Sequence, residues 1–241
     1  MPKITDITLQ RSGPAAREIY SALRHRIMLA ELMPGTAISE VQLSEQLGVS
    51  RTPVREVFRR LADEGLLRIV PQVGTFVAPI QLRAVYDSQF VRETLECRTI
   101  VLATANMNVR AADELQDLLT LQKRAIRDND LERFFDADDR MHTYLIGLGG
   151  YPAIWDLIQG VKAQLDRVRY LSLESGDWLN RIFEQHEVIA ARVIEADAAG
   201  AEAAMREHLQ SVFLTIERLA VNKPELFEGH LGQQSSAKST P

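Results

Sequence analysis

The run from Ile38 to Val77, ISEVQLSEQLGVSRTPVREVFRRLADEGLLRIVPQVGTFV, constrains this chain more than any other stretch. It spells two short helices joined by a tight turn and followed by a β-ribbon. Ser39 can N-cap the first helix, because its hydroxyl accepts from a backbone N–H that the helix leaves unpaired. Gly48 can end that helix in the left-handed conformation. Ser50 or Thr52 caps the second helix, and Pro53 falls in its first turn, where a missing N–H costs nothing. Val54, Val57, Phe58 and Leu61 recur at helical spacing as one apolar stripe, while Arg51, Arg55 and Arg59 step by four along a different face. Gly65 stops the helix. Leu67, Ile69 and then Thr75-Phe76-Val77 read as two short strands around a Pro71–Gly74 tip. This is the plan of a winged helix-turn-helix, which places basic side chains in a DNA major groove.

An arginine row on a helix is more often a solvated face than a reading head. Three features weigh against that here. The helix before it is short, and Leu47-Gly48-Val49-Ser50 has the length and the glycine of a helix-turn-helix connection. The arginines begin in the first turn, the end that enters the groove. A ribbon with a glycine tip follows at once. Arginine can hold guanine O6 and N7 with two parallel hydrogen bonds, or it can anchor a phosphate without reading sequence. The spacing leaves open which arginine does which. We expect Arg51, Thr52, Arg55 and Arg59 to face double-stranded DNA.

With 241 residues the chain makes one large or two ordinary domains, and 46% hydrophobic residues are enough for a real core. No stretch approaches the roughly 18 apolar residues of a membrane span. The segment MPKITDITLQRSG lacks the apolar centre of a secretory signal. The lone cysteine, Cys97, permits no disulfide framework. We therefore expect a soluble cytoplasmic protein with no membrane partner. The net charge of −5 hides an asymmetry: residues 1–80 carry +2, and residues 81–241 carry −7. A mildly basic head on an acidic body suits a DNA reader joined to something that does not touch DNA.

Ahead of the opening run, Ile19, Leu23, Ile27 and Ala30 repeat at helical spacing, and Met33-Pro34-Gly35-Thr36 makes a turn. From Gln81 to Ala220 only helical periodicity is visible. Breaks fall near Asn106–Ala111, Asp128–Asp130, Gly147–Pro152, Ser175–Asp177 and Asp197–Gly200, which divides the body into six or seven helices of an antiparallel bundle. The expected organisation is a flexible arm over 1–12, the winged head over 13–79, an all-α domain over 80–222 and a flexible tail over 223–241. The fold class is mainly α.

Three histidines fall in that body. Asp138 and His142, four apart, project from one face of a helix; His186 and His208 lie on two later helices. One carboxylate and three imidazoles can meet only if three helices pack around a common centre. Such a set suits zinc, nickel, manganese or iron, with room for a water or a ligand oxygen. Spacing alone equally allows three ordinary polar side chains. Cys97 reads as a small buried residue, and Trp155 and Trp178 as core or pocket wall.

The strings that remain resemble a known family. Glu31-Leu32-x-Pro34-Gly35-Thr36, Ser39-Glu40-x-x-Leu43, Leu47-Gly48-Val49-Ser50-Arg51-Thr52-Pro53-Val54-Arg55-Glu56, Leu61-x-x-Glu64-Gly65-Leu66 and Gly74-x-Phe76-Val77 resemble the GntR family of bacterial transcriptional regulators. Arg92-x-x-Leu95-Glu96, Asp138-x-x-Met141-His142, Gln185-His186-x-x-Ile189-Ala190 and Ala203-Ala204-Met205-x-x-His208-Leu209 are similar to the all-helical, FCD-type ligand-binding domain of its FadR branch.

The resemblance implies a divalent metal held by Asp138, His142, His186 and His208, with zinc the first choice, and a small organic acid effector beside it. It implies that Arg51 and Arg55 contact DNA and that the wing glycine approaches the minor groove. It also places Arg92 near the effector, where a guanidinium fork matches a carboxylate; the other role for Arg92 is an interhelical salt bridge with an acidic residue. Arg169, with Arg167, is a weaker choice for the same contact. Two positions depart from the family: Val73 stands where a basic residue often precedes the wing glycine, and Gly147–Tyr151 replaces a common Ser-Gly-Asn loop.

The expected protein is a homodimeric regulator, of repressor type, on an inverted-repeat operator. Two alternatives stay open: a helical domain that only dimerises, and a metal-dependent enzyme carrying a DNA-binding head. Against the enzyme, no general base outside the four ligands, no nucleophile elbow and no phosphate-binding glycine loop is present.

Overall fold

The structure is a computed structural model that describes residues 15–172 and 178–229. The expected arm over 1–12, the break at Ser175–Asp177 and the end of the tail beyond 229 lie outside the described residues. The chain separates into two compact units. One holds the residues up to Tyr86, Val161–Leu171 and the residues from Ile216 on; the other holds Asp87–Gly160 and Ser172–Thr215. No helix among the described residues is long and apolar enough to cross a membrane.

In the first unit, α1 (Ala15–Met28), α2 (Glu40–Leu47) and α3 (Arg51–Asp63) carry the helical part of the head. Ser39 caps α2, its side chain accepting from the Gln42 N–H, and Gly48 closes α2 at φ 65°. Ser50 holds the extended N-cap geometry of α3 without a side-chain bond, and Pro53 sits in the first turn. Gly65 ends α3 at φ 71°. There the Leu66 N–H reaches back to the Leu61 carbonyl at 2.8 Å, a closure that needs the left-handed backbone only glycine takes without strain.

The wing is β2 (Leu67–Val70) against β3 (Gly74–Val77), antiparallel, with Leu67 opposite Val77 and Val70 opposite Gly74. A third strand that the sequence did not suggest, β1 (Ala37–Ile38), pairs with the other edge of β3. The strand order is β1-β3-β2. Ile19, Leu23 and Ile27 of α1, Leu43 of α2, Val54, Phe58 and Leu61 of α3, and Leu67 and Val77 of the wing form one buried core. The apolar stripe expected on α3 is therefore the face that binds the head together.

Two expectations about organisation change here. Within the body, α7 (Ile154–Val161) and α8 (Ala163–Leu171) are separate helices broken at Lys162, and α8 belongs to the first unit. Ala163 enters the core of the head, Gln164 donates to the Gly65 carbonyl at 2.6 Å, and Arg167 donates to the Ala78 carbonyl at 2.8 Å. The chain past 222 is also not a loose tail as far as it is described. Pro224–Leu226 form a 3-10 turn. Leu226 and Phe227 are buried. The Ile80 N–H donates to the Leu226 carbonyl at 2.8 Å, and the Glu228 N–H donates back to Ile80 at 3.0 Å. Two apolar side chains behind a proline give this stretch something to bury, which the polar composition further on conceals.

The second unit is helical. It is built on α4 (Leu82–Ala105), whose first residues to Tyr86 belong to the first unit, α5 (Val109–Arg127), α6 (Leu131–Leu148), α7, α9 (Trp178–Ile194) and α10 (Ala198–Gln210); α11 (Val212–Asn222) begins in it and ends in the first unit. Asn108, Asp130 and Asp197 cap α5, α6 and α10 with their side chains. The core is made by Ile100 and Ala103 of α4, Leu115 and Leu118 of α5, Met141 and Leu145 of α6, Ile189 and Val193 of α9, and Met205 and Leu209 of α10. Cys97 is buried among them. At the end of α6 a Cβ on Gly149 would lie 2.5 Å from the Thr99 carbonyl oxygen, so the backbone passes too close to α4 there for any larger residue without a shift.

Candidate functional site

On α3, Arg51, Thr52, Arg55 and Arg59 are all exposed, on the side away from the buried stripe. Arg55 is held by Glu40 of α2, Nε to Oε2 at 3.2 Å. Gly74 is exposed at the base of the wing tip, and Val73 beside it is 70% exposed. The features that would face DNA thus share one unit: a basic helix face and an uncharged wing tip.

The second site lies in the helical unit. Asp138 and His142 are one turn apart on α6, His186 is on α9 and His208 on α10. The structure brings all four together: one ligand atom from each lies within 4.8 Å of all the others. They are 0%, 1%, 0% and 5% exposed respectively, so the three helices pack these four side chains into one buried cluster.

The surroundings of the rings decide their chemistry. The Nδ1–H of His186 donates to Gln122 Oε1 at 2.7 Å, that of His208 to Gln185 Oε1 at 3.0 Å, and that of His142 to Glu96 Oε2. With each Nδ1 carrying the proton, each Nε2 presents a lone pair to the centre. The buried His142 Nε2 has no hydrogen-bond partner. His186 Nε2 stands 3.3 Å from His208 Nε2 and 3.5 Å from Asp138 Oδ1. Burial first, then the neighbouring His186 and His142, push His208 well below the usual imidazole range, so a proton is disfavoured there. Three inward lone pairs and a carboxylate, each ring fixed by an outer acceptor, fit a divalent cation. The 3.3 Å separation suits two nitrogens that each sit about 2.0–2.1 Å from one ion. The Trp155 ring lies nearly parallel to His142, so that tryptophan is site wall as much as core.

Arg92 adjoins the centre through Glu96. Its Nε donates to Glu96 Oε1 at 2.6 Å, one turn along α4, and the other oxygen of the same carboxylate takes His142. The salt bridge is thus within α4. Burial would raise the Glu96 pKa, but Arg92 and then His142 hold it down to about 2. Arg92 Nη2 is buried and has no acceptor. Arg169 lies in the first unit, 3.7 Å from Asp166, a carboxylate that also takes Lys162 and Arg24. Arg167 is fully buried in the same segment.

The sequence did not assign roles to Glu96, Gln122 and Gln185, which orient the three rings. Gln185 could have been found as the neighbour of His186, and Glu96 as the residue four beyond Arg92. Gln122 carries no local signal.

Comparison with known proteins gives the context. The profile described as "Bacterial regulatory proteins, gntR family" matches residues 15–77, and that of the FCD domain matches residues 87–211. A transcriptional regulator of the helix-turn-helix type in an unstable DNA locus of Streptomyces ambofaciens is 40% identical over 211 residues, covering 88% of this chain and 89% of its own. The transcriptional repressor RspR of Escherichia coli K12 is 32% identical over 219 residues, covering 91% of this chain and 96% of its own. Among solved structures, E. coli McbR/YncC superposes with a TM-score of 0.69 at 22% identity, covering 86% of this chain and 99% of that one, and shares the fold. The matched families and relatives are transcriptional regulators, not enzymes. FCD domains often bind a metal.

Proposed function

The chain belongs to the gntR family of bacterial regulatory proteins, as a transcriptional regulator with an FCD domain, and from that premise we propose that it is a repressor whose hold on DNA is set by a small carboxylate bound beside a divalent metal. Each copy of a homodimer lays α3 on one half-site of an inverted repeat, with Arg51, Thr52, Arg55 and Arg59 at the groove and the Gly74 backbone at the wing. The repressor sense is that of RspR.

Asp138, His142, His186 and His208 would hold the metal, zinc first, with nickel, manganese or iron as alternatives. Such an ion supplies a Lewis acid for oxygen ligands. One observation carries this reading: three buried Nε2 lone pairs converge with a carboxylate, and each Nδ1–H is committed to an outer acceptor. Arg92 adds the recognition element, since its buried Nη2 donor lacks an acceptor and a carboxylate oxygen would supply one. The acid changes operator affinity only if it binds the DNA-competent and DNA-incompetent states unequally.

Metal analysis of the purified chain tests the first step. About one divalent ion per chain is expected, lost in Asp138→Ala and His208→Ala. A wild-type protein that stays metal-free after reconstitution would sink the proposal and leave the helical domain as a dimerisation module. Thermal shift with short hydroxy- and keto-acids tests the second step: stabilisation of the metal-loaded protein that Arg92→Gln abolishes. An equal shift in Arg92→Gln would remove the role given to that arginine.

A further inference from the structure

The ion pair between Glu40 and Arg55 joins side chains 15 residues apart, across the turn of the helix-turn-helix. Arg55 is 62% and Glu40 27% exposed, and pairs so placed contribute little to stability. The fold does not need this one. What the pair does is geometric. A guanidinium is a planar, rigid fork, and a partner at Nε fixes its plane while leaving the edge formed by the two terminal nitrogens clear. That edge matches the O6 and N7 acceptors of guanine.

Glu40 is itself well anchored. It is the first residue of α2, where a carboxylate suits the helix dipole, Ser39 caps the same turn, and Leu43 and Ser44 are buried on that helix. Arg51 and Arg59 on the same face are exposed and have no ion-pair partner among the described residues. One arginine of the row is therefore oriented and two are not. Glu40 also puts a negative charge beside the surface that would meet phosphates. That charge weakens attraction to any DNA regardless of sequence.

We propose that Glu40 is a positioning residue that holds Arg55 end-on to a guanine in each half-site and so raises sequence selectivity at the expense of non-specific affinity. This rests on α3 being the recognition helix.

The test uses the full-length protein and a random-sequence duplex pool, selected in parallel on wild type, Glu40→Ala, Glu40→Gln and Arg55→Ala. Binding to the wild-type-selected duplex and to a scrambled duplex is then titrated against salt. In Glu40→Ala the guanine preference at one base pair per half-site is expected to fall by roughly tenfold. Affinity for the scrambled duplex should rise, and its log–log salt slope should steepen by about one. Glu40→Gln can still accept from Arg55 Nε, so it should keep part of the guanine preference while sharing the salt effect. Arg55→Ala should lose the same guanine.

Unchanged base preferences in Glu40→Ala, with that guanine lost in Arg55→Ala, would overturn the proposal and leave the recognition helix standing. A sharper preference in Glu40→Ala would make Glu40 a competitor of DNA, which also overturns it. A uniform loss at every position and on the scrambled duplex would mean that α2 had merely loosened, and the positioning role would fall with it. A guanine retained in Arg55→Ala would show that Arg55 does not read it, and the proposal would fall.

Discussion

The Nε2 atoms of His186 and His208 face each other at 3.3 Å, while the opposite nitrogen of each ring is spent on a glutamine carbonyl. Two lone pairs at that distance repel unless a positive charge lies between them. The proton is a poor choice, because burial and the surrounding rings hold His208 in its neutral form. The cluster is thus chemically suited to a cation, and its outer hydrogen bonds would fix the ring directions that such binding needs.

Replacing Gln122 or Gln185 by Leu should weaken metal binding by about ten- to a hundredfold with little change in secondary structure, since each change frees a ring to turn. Competition against a chelating dye measures this. An unchanged affinity would show that the glutamines do not set the ring directions.

Acid should destabilise the metal-free protein in two stages. His208 has a folded value below the ordinary 6.5, so the unfolded chain takes up the proton first, and stability falls as pH drops below about 6.5. Glu96, held down to about 2 against an ordinary 4.5, contributes stability that is present above about 4.5 and lost as pH falls towards 2. Melting of chelator-treated protein between about pH 7.5 and pH 3 should show both declines. A flat profile down to about pH 5 would contradict the first.

Arg92→Met should cost about 3–5 kcal/mol in chemical denaturation, because it strips a buried carboxylate of its cation. Arg92 and Glu96 are only 4% and 1% exposed, so water can do little to compensate. A loss under about 1 kcal/mol would mean that Glu96 is satisfied by His142 alone.

Val73→Lys should place a cation at the wing tip, where the native side chain is 70% exposed. The expected result is tighter binding to any duplex and a salt slope steeper by about one, with base preferences unchanged. An unaltered slope would place the wing tip away from the phosphates.

Gly149→Ala should destabilise the helical unit by about 1–3 kcal/mol, since the new methyl would sit 2.5 Å from the Thr99 carbonyl oxygen. Equal thermal stability would show that the end of α6 can move away from α4.

The reading head was legible almost residue by residue because its boundaries are local. Ser39, Gly48, Pro53 and Gly65 each act on their own turn of backbone, and the α3 stripe needs no distant information. The strand Ala37–Ile38 was not legible, since two residues show no alternation and become a strand only because β3 offers an edge. The helix breaks at Lys162 and Ser211 were missed because neither residue is a helix breaker; packing decides them. At the Asp138, His142, His186 and His208 cluster the four side chains were visible, but their meeting depends on how α6, α9 and α10 pack. Gln122 was invisible for the same reason: 64 positions separate it from the ring it orients.

The return of α8 to the core of the head bears on how the protein is made. A ribosome releases residues 15–79 long before Ala163, Gln164 and Arg167 exist, and longer still before Leu226 can meet Ile80. The nascent head therefore emerges with part of its core uncovered and the Gly65 and Ala78 carbonyls still hydrated. Its last stabilising contacts close only after the helical body has been synthesised. A message cut short after the wing would yield a head without these contacts, so truncated products should be poor competitors for the DNA sites of the finished regulator.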